Sequence, residues 1–192
     1  SLQRLRTDHL DLLQVHNIND AEGLLPRMLE WKQAKKLRYV GVSAPAAQPE
    51  RLVALMKKFQ LDFVQLDYSL GNRAADDGAL KACQEHGAAV LINLPLGRNG
   101  LLRKAQGRPL PPWAAELGIA TWAQYFLKWV VAHPAITCAI PGTTNVAHLE
   151  DDWSLDGLTT LVYGVPKLQA GLPIREKKLP PEVKAAQRSL FA

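Results

Sequence analysis

The chain has 192 residues, 23 Lys and Arg against 18 Asp and Glu, and a formal charge of +5, with 47% of residues hydrophobic. This is the composition of one soluble globular core, and its spread-out positive charge suits an anionic small ligand rather than nucleic acid. No apolar run reaches the ~18 residues that span a membrane, and Cys83 and Cys138 lie at no metal-ligand spacing. The two cysteines are expected as buried thiols in a reducing compartment, the cytoplasm. The first residue is Ser1, so the natural N-terminus is expected to lie upstream.

In chain order, nearly continuous apolar runs predict strands at residues 10–15, 39–42, 63–67, 88–93 and 136–140. Amphipathic patterns predict helices between them. Residues 24–36 place Leu25, Met28, Leu29 and Lys32 on one stripe, with Lys35, Lys36 and Arg38 at the basic end. Residues 49–59 start on Pro49 and bury Leu52, Leu55 and Met56, and residues 76–86 end at Gly87, suited to a left-handed cap. Residues 97–112 are the longest stretch without a pattern and carry Arg98, Arg103, Lys104 and Arg108 without an acid. Residues 121–133 carry Trp122, Phe126, Trp129 and Val130 on one face and stop at Pro134. A short helix at 146–152 follows the last strand, and beyond Leu155 Gly and Pro punctuate a tail whose one helical pattern lies at 182–191.

Alternating β and α elements of this kind build a parallel sheet with helices outside. The first four strands recur about every 26 residues, against the roughly 250 residues of a whole (β/α)8 barrel. The chain is therefore expected to be α/β. Either it is an incomplete (β/α)8 barrel, or it is a five-stranded doubly wound sheet, against which no G-x-G-x-x-G follows the first strand.

Polar residues gather where the strands end: His16 and Asn17, Ser43, Gln65 and Asp67, Asn93, then Gly142, Thr143 and Thr144. Ligands bind at this carboxyl edge of parallel α/β sheets, although any one such residue also serves to cap the next helix. His16 reads either as structural or as a proton donor or polariser of a bound carbonyl. Free N–H groups at the helix start after Gly142–Thr144 suit a phosphate, with the dipole adding only ~0.3–1 kcal/mol. The basic residues between Arg98 and Arg108 follow the preceding strand and suit the same anion.

The run SLQRLRTDHLDLLQVH at residues 1–16 resembles the helix-to-fourth-strand signature of the aldo-keto reductase family, which ends in its active-site histidine. Residues 39–43 (YVGVS) resemble its fifth strand, 64–69 (VQLDYS) its sixth, 95–97 (PLG) the seventh-strand exit and 140–143 (IPGT) the eighth. The resemblance covers residues 1–155 and implies a partial barrel carrying about strands 4–8, with residues 156–192 a divergent tail. It implies an NAD(P)H-dependent oxidoreductase that reduces a small carbonyl compound to an alcohol, using NADP(H) or NAD(H). His16 then matches the histidine that hydrogen-bonds the carbonyl. Ser43 and Gln65 match the positions that hold the nicotinamide carboxamide, with Asn93 where many members stack a Tyr. Leu96 borders the pyrophosphate, and Gly142, Thr143, Thr144, His148, Asp151 and Asp152 fall at the adenosine end.

The sequence departs from the family pattern at several of these positions. Ala44 stands for the usual Asn, Gly142 for a Lys and His148 for an Arg that would pair with a 2′-phosphate, and Asp152 for an Asn. The family's catalytic Asp, Tyr and Lys lie on earlier strands, so the expectation is a fragment that is inactive as it stands. The alternative is a non-catalytic nucleotide-binding or regulatory module on a truncated barrel. Open sheet edges lead to a further expectation, marginal stability and a tendency to associate.

Overall fold

The computed structural model describes residues 2–44, 48–76 and 78–153. The helix expected at 182–191 and the tail 156–192 lie outside the described residues. The described residues form two compact units, 2–68 with 72–93, and 69–71 with 94–153.

The first unit runs α1 (Leu2–Leu5), β1 (Leu10–Val15), α2 (Ala21–Gln33), β2 (Leu37–Ala44), α3 (Pro49–Lys58), β3 (Phe63–Asp67), α4 (Ala79–His86) and β4 (Ala89–Asn93). Its strands are all parallel and ordered β1-β2-β3-β4, with Gln14 beside Gly41, Ser43 beside Gln65 and Asp67 beside Asn93. Order in space follows order in the chain, with no point of reversal. A doubly wound sheet reverses at its switch point and a barrel wall does not, so the doubly wound alternative fails for this unit.

Successive side chains point to opposite faces. On one face Val40, Val42, Val64, Val90 and Ile92 are completely buried. Leu25 and Met28 of α2, Leu52, Leu55 and Met56 of α3, and Leu80 and Cys83 of α4 are buried with them. Each such aliphatic side chain contributes ~1.5–3 kcal/mol through the area it removes from water. The opposite face carries Leu12, Gln14, Tyr39, Ser43, Phe63, Gln65, Leu91 and Asn93, all half-buried. Tyr39 and Phe63 meet there edge to face with ring centroids 5.5 Å apart. The functional candidates of this unit share that second face.

Local bonding moves several expected boundaries. The helix expected at 24–36 begins at Ala21, because the 3-10 turn Ile18–Asp20 leads directly into it and Ala21 is fully buried. It ends at Gln33: Lys35 takes a left-handed φ of 59°, and Lys36 N–H returns to Trp31 C=O at 2.9 Å. Lys35, Lys36 and Arg38 thus lie beyond the helix. Gly87 closes α4 in the same way at φ 70°, and the partner bond uses Ala88 N–H to Cys83 C=O, so β4 starts at Ala89 and not at 88. The helix expected from 76 starts at Ala79, since Asp76 is held in a turn by its N–H to Arg73 C=O and by Arg73 Nε at 2.8 Å. The strand expected at 39–42 extends over Leu37–Ala44.

The second unit contains α5 (Gly100–Ala105), a 3-10 segment (Pro112–Leu117), α6 (Trp122–Val131), β5 (Cys138–Ile140) and α7 (Val146–Trp153). The stretch expected to lack structure at 97–112 therefore holds a short helix, which buries Leu101 and Ala105. The strand expected from 136 begins two residues later, because Ile136 N–H still closes a turn onto His133 C=O. Thr121 caps α6 by accepting from Gln124 N–H, and the Gln124 Oε1 accepts from Ala120 N–H at 2.7 Å. Trp122, Tyr125 and Phe126 pack ring on ring with centroids 5.2–5.6 Å apart. Both cysteines are thiols outside any disulfide. Cys83 is buried and its thiol is pushed up to about 12 by burial, whereas Cys138 is half-buried, short of the burial expected for it. Among the described residues no helix is long and apolar enough to cross a membrane.

Candidate functional site

Strands β1 to β4 deliver four of the expected residues to one face of the first unit, near the carboxyl ends of the strands. His16 follows β1 and is exposed, while Ser43, Gln65 and Asn93 are half-buried. Ser43 Oγ accepts from Asn17 N–H at 3.0 Å and lies 3.4 Å from His16 Nδ1. A serine hydroxyl has one hydrogen and two lone pairs, so Ser43 can give its hydrogen to Nδ1 and keep one acceptor position open. With Nδ1 accepting, the ring hydrogen sits on Nε2, which is then the outward donor.

A row of amides runs beside this pair. Gln14 Nε2 donates to Gln65 Oε1 at 2.8 Å, and Gln65 Nε2 donates to Asn93 Oδ1 at 2.6 Å. Gln14 reaches Gln65 across β2, where its register partner Gly41 has no side chain to obstruct it. Gln14 Oε1 is buried without a hydrogen-bond partner. The strand-end pattern does not point to Gln14, although a sequence signal exists: it is the one polar side chain inside β1 on the face of His16, two residues away. Asp67 sits at the end of β3 and accepts from Asn72 Nδ2 at 3.2 Å.

The backbone is strained where two of these strands end. Asn17, after His16, has φ 51°, and Leu94, after Asn93 and before Pro95, has φ 53°. Non-glycine residues in such conformations cost ~1–3 kcal/mol and concentrate at functional sites.

The remaining expected residues belong to the second unit. Leu96 is half-buried in a tight turn closed by Gly97 N–H onto Leu94 C=O at 2.8 Å. Gly142, Thr143, Thr144 and His148 are exposed around the start of α7. Asn145 Oδ1 caps that helix by accepting from Ala147 N–H at 3.0 Å, and Thr143 Oγ1 accepts from Asn145 N–H at 3.1 Å. Asp151 turns toward α6, accepting from Thr121 Oγ1 at 2.8 Å and from Gln124 Nε2 at 2.9 Å. Asp152 is 5% exposed.

Burial raises the Asp152 carboxyl above the ordinary carboxylate range, the neighbouring Asp151 charge raises it further, and His148 offsets part of this. A raised folded-state value means that the folded chain holds the proton more tightly than the unfolded one. Stability present at low pH is therefore lost as pH rises through that raised value. Asp152→Asn is expected to increase the urea midpoint at pH 7, with the gain shrinking toward pH 4; a gain independent of pH would exclude this cause.

The aldo/keto reductase family model matches residues 1–155, four-fifths of the chain. The chain belongs to the aldo/keto reductase family. The pyridoxine 4-dehydrogenase of Escherichia coli is 30% identical over 166 residues, covering 80% of this chain and 56% of that protein. An aldo/keto reductase from Klebsiella pneumoniae, solved with NADP and acetate, superposes with a TM-score of 0.71 at 26% identity, covering 99% of this chain and 62% of that one. The chain thus spans about half the length of the curated aldo/keto reductases it matches. A stretch of 46 residues is also 65% identical to the lysine–tRNA ligase of Streptomyces coelicolor, over 23% of this chain and 8% of that protein, a share too small to argue for its chemistry. Solved aldo/keto reductases are (β/α)8 barrels, and the parallel, sequentially ordered strands of the first unit agree with that fold.

Proposed function

We propose that this chain supplies the nicotinamide-dinucleotide-holding part of an NAD(P)H-dependent aldo/keto reductase that reduces a carbonyl compound to an alcohol. On this reading residues 1–155 form the barrel portion, and residues 156–192 a divergent tail. The observation that carries the proposal is the juxtaposition of His16 and Ser43 with the Gln65–Asn93 amide pair on one sheet face.

That set of side chains fits a nicotinamide. A carboxamide has one acceptor and one NH2 donor in a plane, and an amide row offers both partners. Gln65 and Asn93 hold the carboxamide, with the open lone pair of Ser43 beside them. When bound, a reduced nicotinamide would supply the hydride to the carbonyl carbon, and the alcohol would be completed by a proton from an acid other than His16, the role the family gives to its tyrosine. His16 donates from Nε2 to the carbonyl oxygen, where negative charge develops, and Ser43 together with Asn17 N–H fixes the ring that does so. In the second unit the proposal gives the pyrophosphate to Leu96 and the adenosine end to Gly142, Thr143, Thr144, His148, Asp151 and Asp152. Gly142 and His148 carry no fixed positive charge for a 2′-phosphate, so NADH competes with NADPH in this chain.

Titration of the chain with NADPH and NADH, followed by nicotinamide fluorescence, tests the reading. Saturable binding is expected. Gln65→Leu is expected to weaken it about tenfold, a loss typical of a buried hydrogen-bonding pair, and to leave ADP-ribose binding unchanged. Absence of saturable binding of either dinucleotide would overturn the proposal.

A further inference from the structure

We infer that Gln14 is a positioning residue. Its amide sets the sense of the Gln14–Gln65–Asn93 row and thereby decides which edges of Gln65 and Asn93 face a carboxamide. The inference rests on the role proposed above for Gln65 and Asn93.

The row has a direction. Each NH2 donates toward β4 and each carbonyl accepts from the β1 side, at 2.8 and 2.6 Å. In this sense the row ends on β1 with a single buried acceptor, Gln14 Oε1, left without a partner. Turned the other way, the row would bury the two N–H groups of Gln14 there instead. Orphaned buried N–H groups are rarer and less tolerated than an under-satisfied carbonyl, so the observed sense is the favoured one. Its consequence lies at the opposite end. Asn93 Oδ1 is occupied and Nδ2 remains as a donor, while Gln65 keeps one N–H and one lone pair. A carboxamide then accepts from Asn93 through its oxygen and donates to Gln65 Oε1 through its nitrogen.

Gln14 is level with Gly41, which puts no side chain between it and the strand beyond. The row lies wholly within the first unit.

The test reads the orientation of the bound nicotinamide carboxamide, from transferred NOEs between its NH2 and the ring hydrogens on either side. Gln14→Glu, studied at pH 8 where the carboxylate only accepts, turns Gln65 and leaves Asn93 Oδ1 facing outward. The carboxamide is then expected to turn by about 180°, its NH2 donating to Asn93 Oδ1 instead of Gln65 Oε1, so that the NOE moves to the other neighbouring ring hydrogen. Gln14→Met keeps the length of the side chain but removes the donor, frees Gln65 to turn, and is expected to give both orientations. The urea midpoint of each variant reports whether the first unit stays folded, and Gln14→Met, which buries no charge, serves if Gln14→Glu does not fold. One carboxamide orientation shared by the parent and the folded variants would overturn the inference.

A second readout needs no ligand. In the free chain, one side-chain amide hydrogen each of Gln65 and Gln14 is expected to exchange slowly, and Gln14→Met is expected to speed exchange at Gln65. Unchanged exchange there overturns the relay, whereas failure of dinucleotide binding with the exchange effect intact overturns only the proposed function.

Discussion

Gly41→Ala is expected to destabilise the chain by about 3 kcal/mol, a large part of the ~5–15 kcal/mol that holds a typical domain together. A Cβ at Gly41 would stand 2.5 Å from the Phe63 carbonyl oxygen and 2.9 Å from Phe63 Cβ. Neither atom is the end of a flexible side chain, so relief requires β2 and β3 to separate along the register that pairs Gly41 with Phe63. The same shift displaces Ser43 and Gln65, two residues further along the paired strands. Loss of stability in urea unfolding is therefore expected together with loss of dinucleotide binding. A midpoint within experimental scatter of the parent would mean that the two strands approach less closely than described.

Asp62→Ala is expected to cost about 3 kcal/mol, in the range of hydrogen bonds to charged groups and of a broken partly buried ion pair. The Asp62 carboxylate accepts from Lys32 Nζ at 2.6 and 2.7 Å and from Val40 N–H at 2.8 Å. Its backbone pairs with Val40 C=O and with Ala89 N–H, both at 2.8 Å. One residue thus ties α2, β2 and the start of β4 together just before β3 begins. Removing the carboxylate strands the Val40 N–H, and Val40 is completely buried. Asp62→Asn retains an acceptor for Val40 and loses the charge toward Lys32, so it is expected to cost about half as much. Equal losses for the two substitutions would assign the whole effect to the ion pair.

Much of the first unit was legible because its strands carry their signal locally. β1 and β3 match the expected residues 10–15 and 63–67, since continuous apolar runs bounded by polar residues leave little freedom in register. Helix ends were less legible. Lys35 adopts a left-handed cap that its side chain does not advertise, and Ile18–Asp20 draws the start of α2 forward, both being effects of tertiary anchoring. His16, Ser43, Gln65 and Asn93 could be picked out because polar residues at consecutive strand ends converge once the strands are parallel. The amide row could not, as it depends on Gln14 crossing a strand at a glycine, which only the register reveals. The bonds that hold Asp151, from Thr121 and Gln124 of α6, are likewise set by tertiary packing and carry no local sequence signal.

The most direct measurement is an NMR titration of the chain, labelled at Asn, Gln and His side chains, with NADP+ and separately with ADP-ribose. With NADP+, the side-chain signals of His16, Gln65 and Asn93 are expected to move saturably, with the same midpoint as that of His148. With ADP-ribose, His148 is expected to move while His16, Gln65 and Asn93 stay in place. Saturation with NADP+ that leaves His16, Gln65 and Asn93 unmoved would contradict the assignment of this sheet face to the nicotinamide.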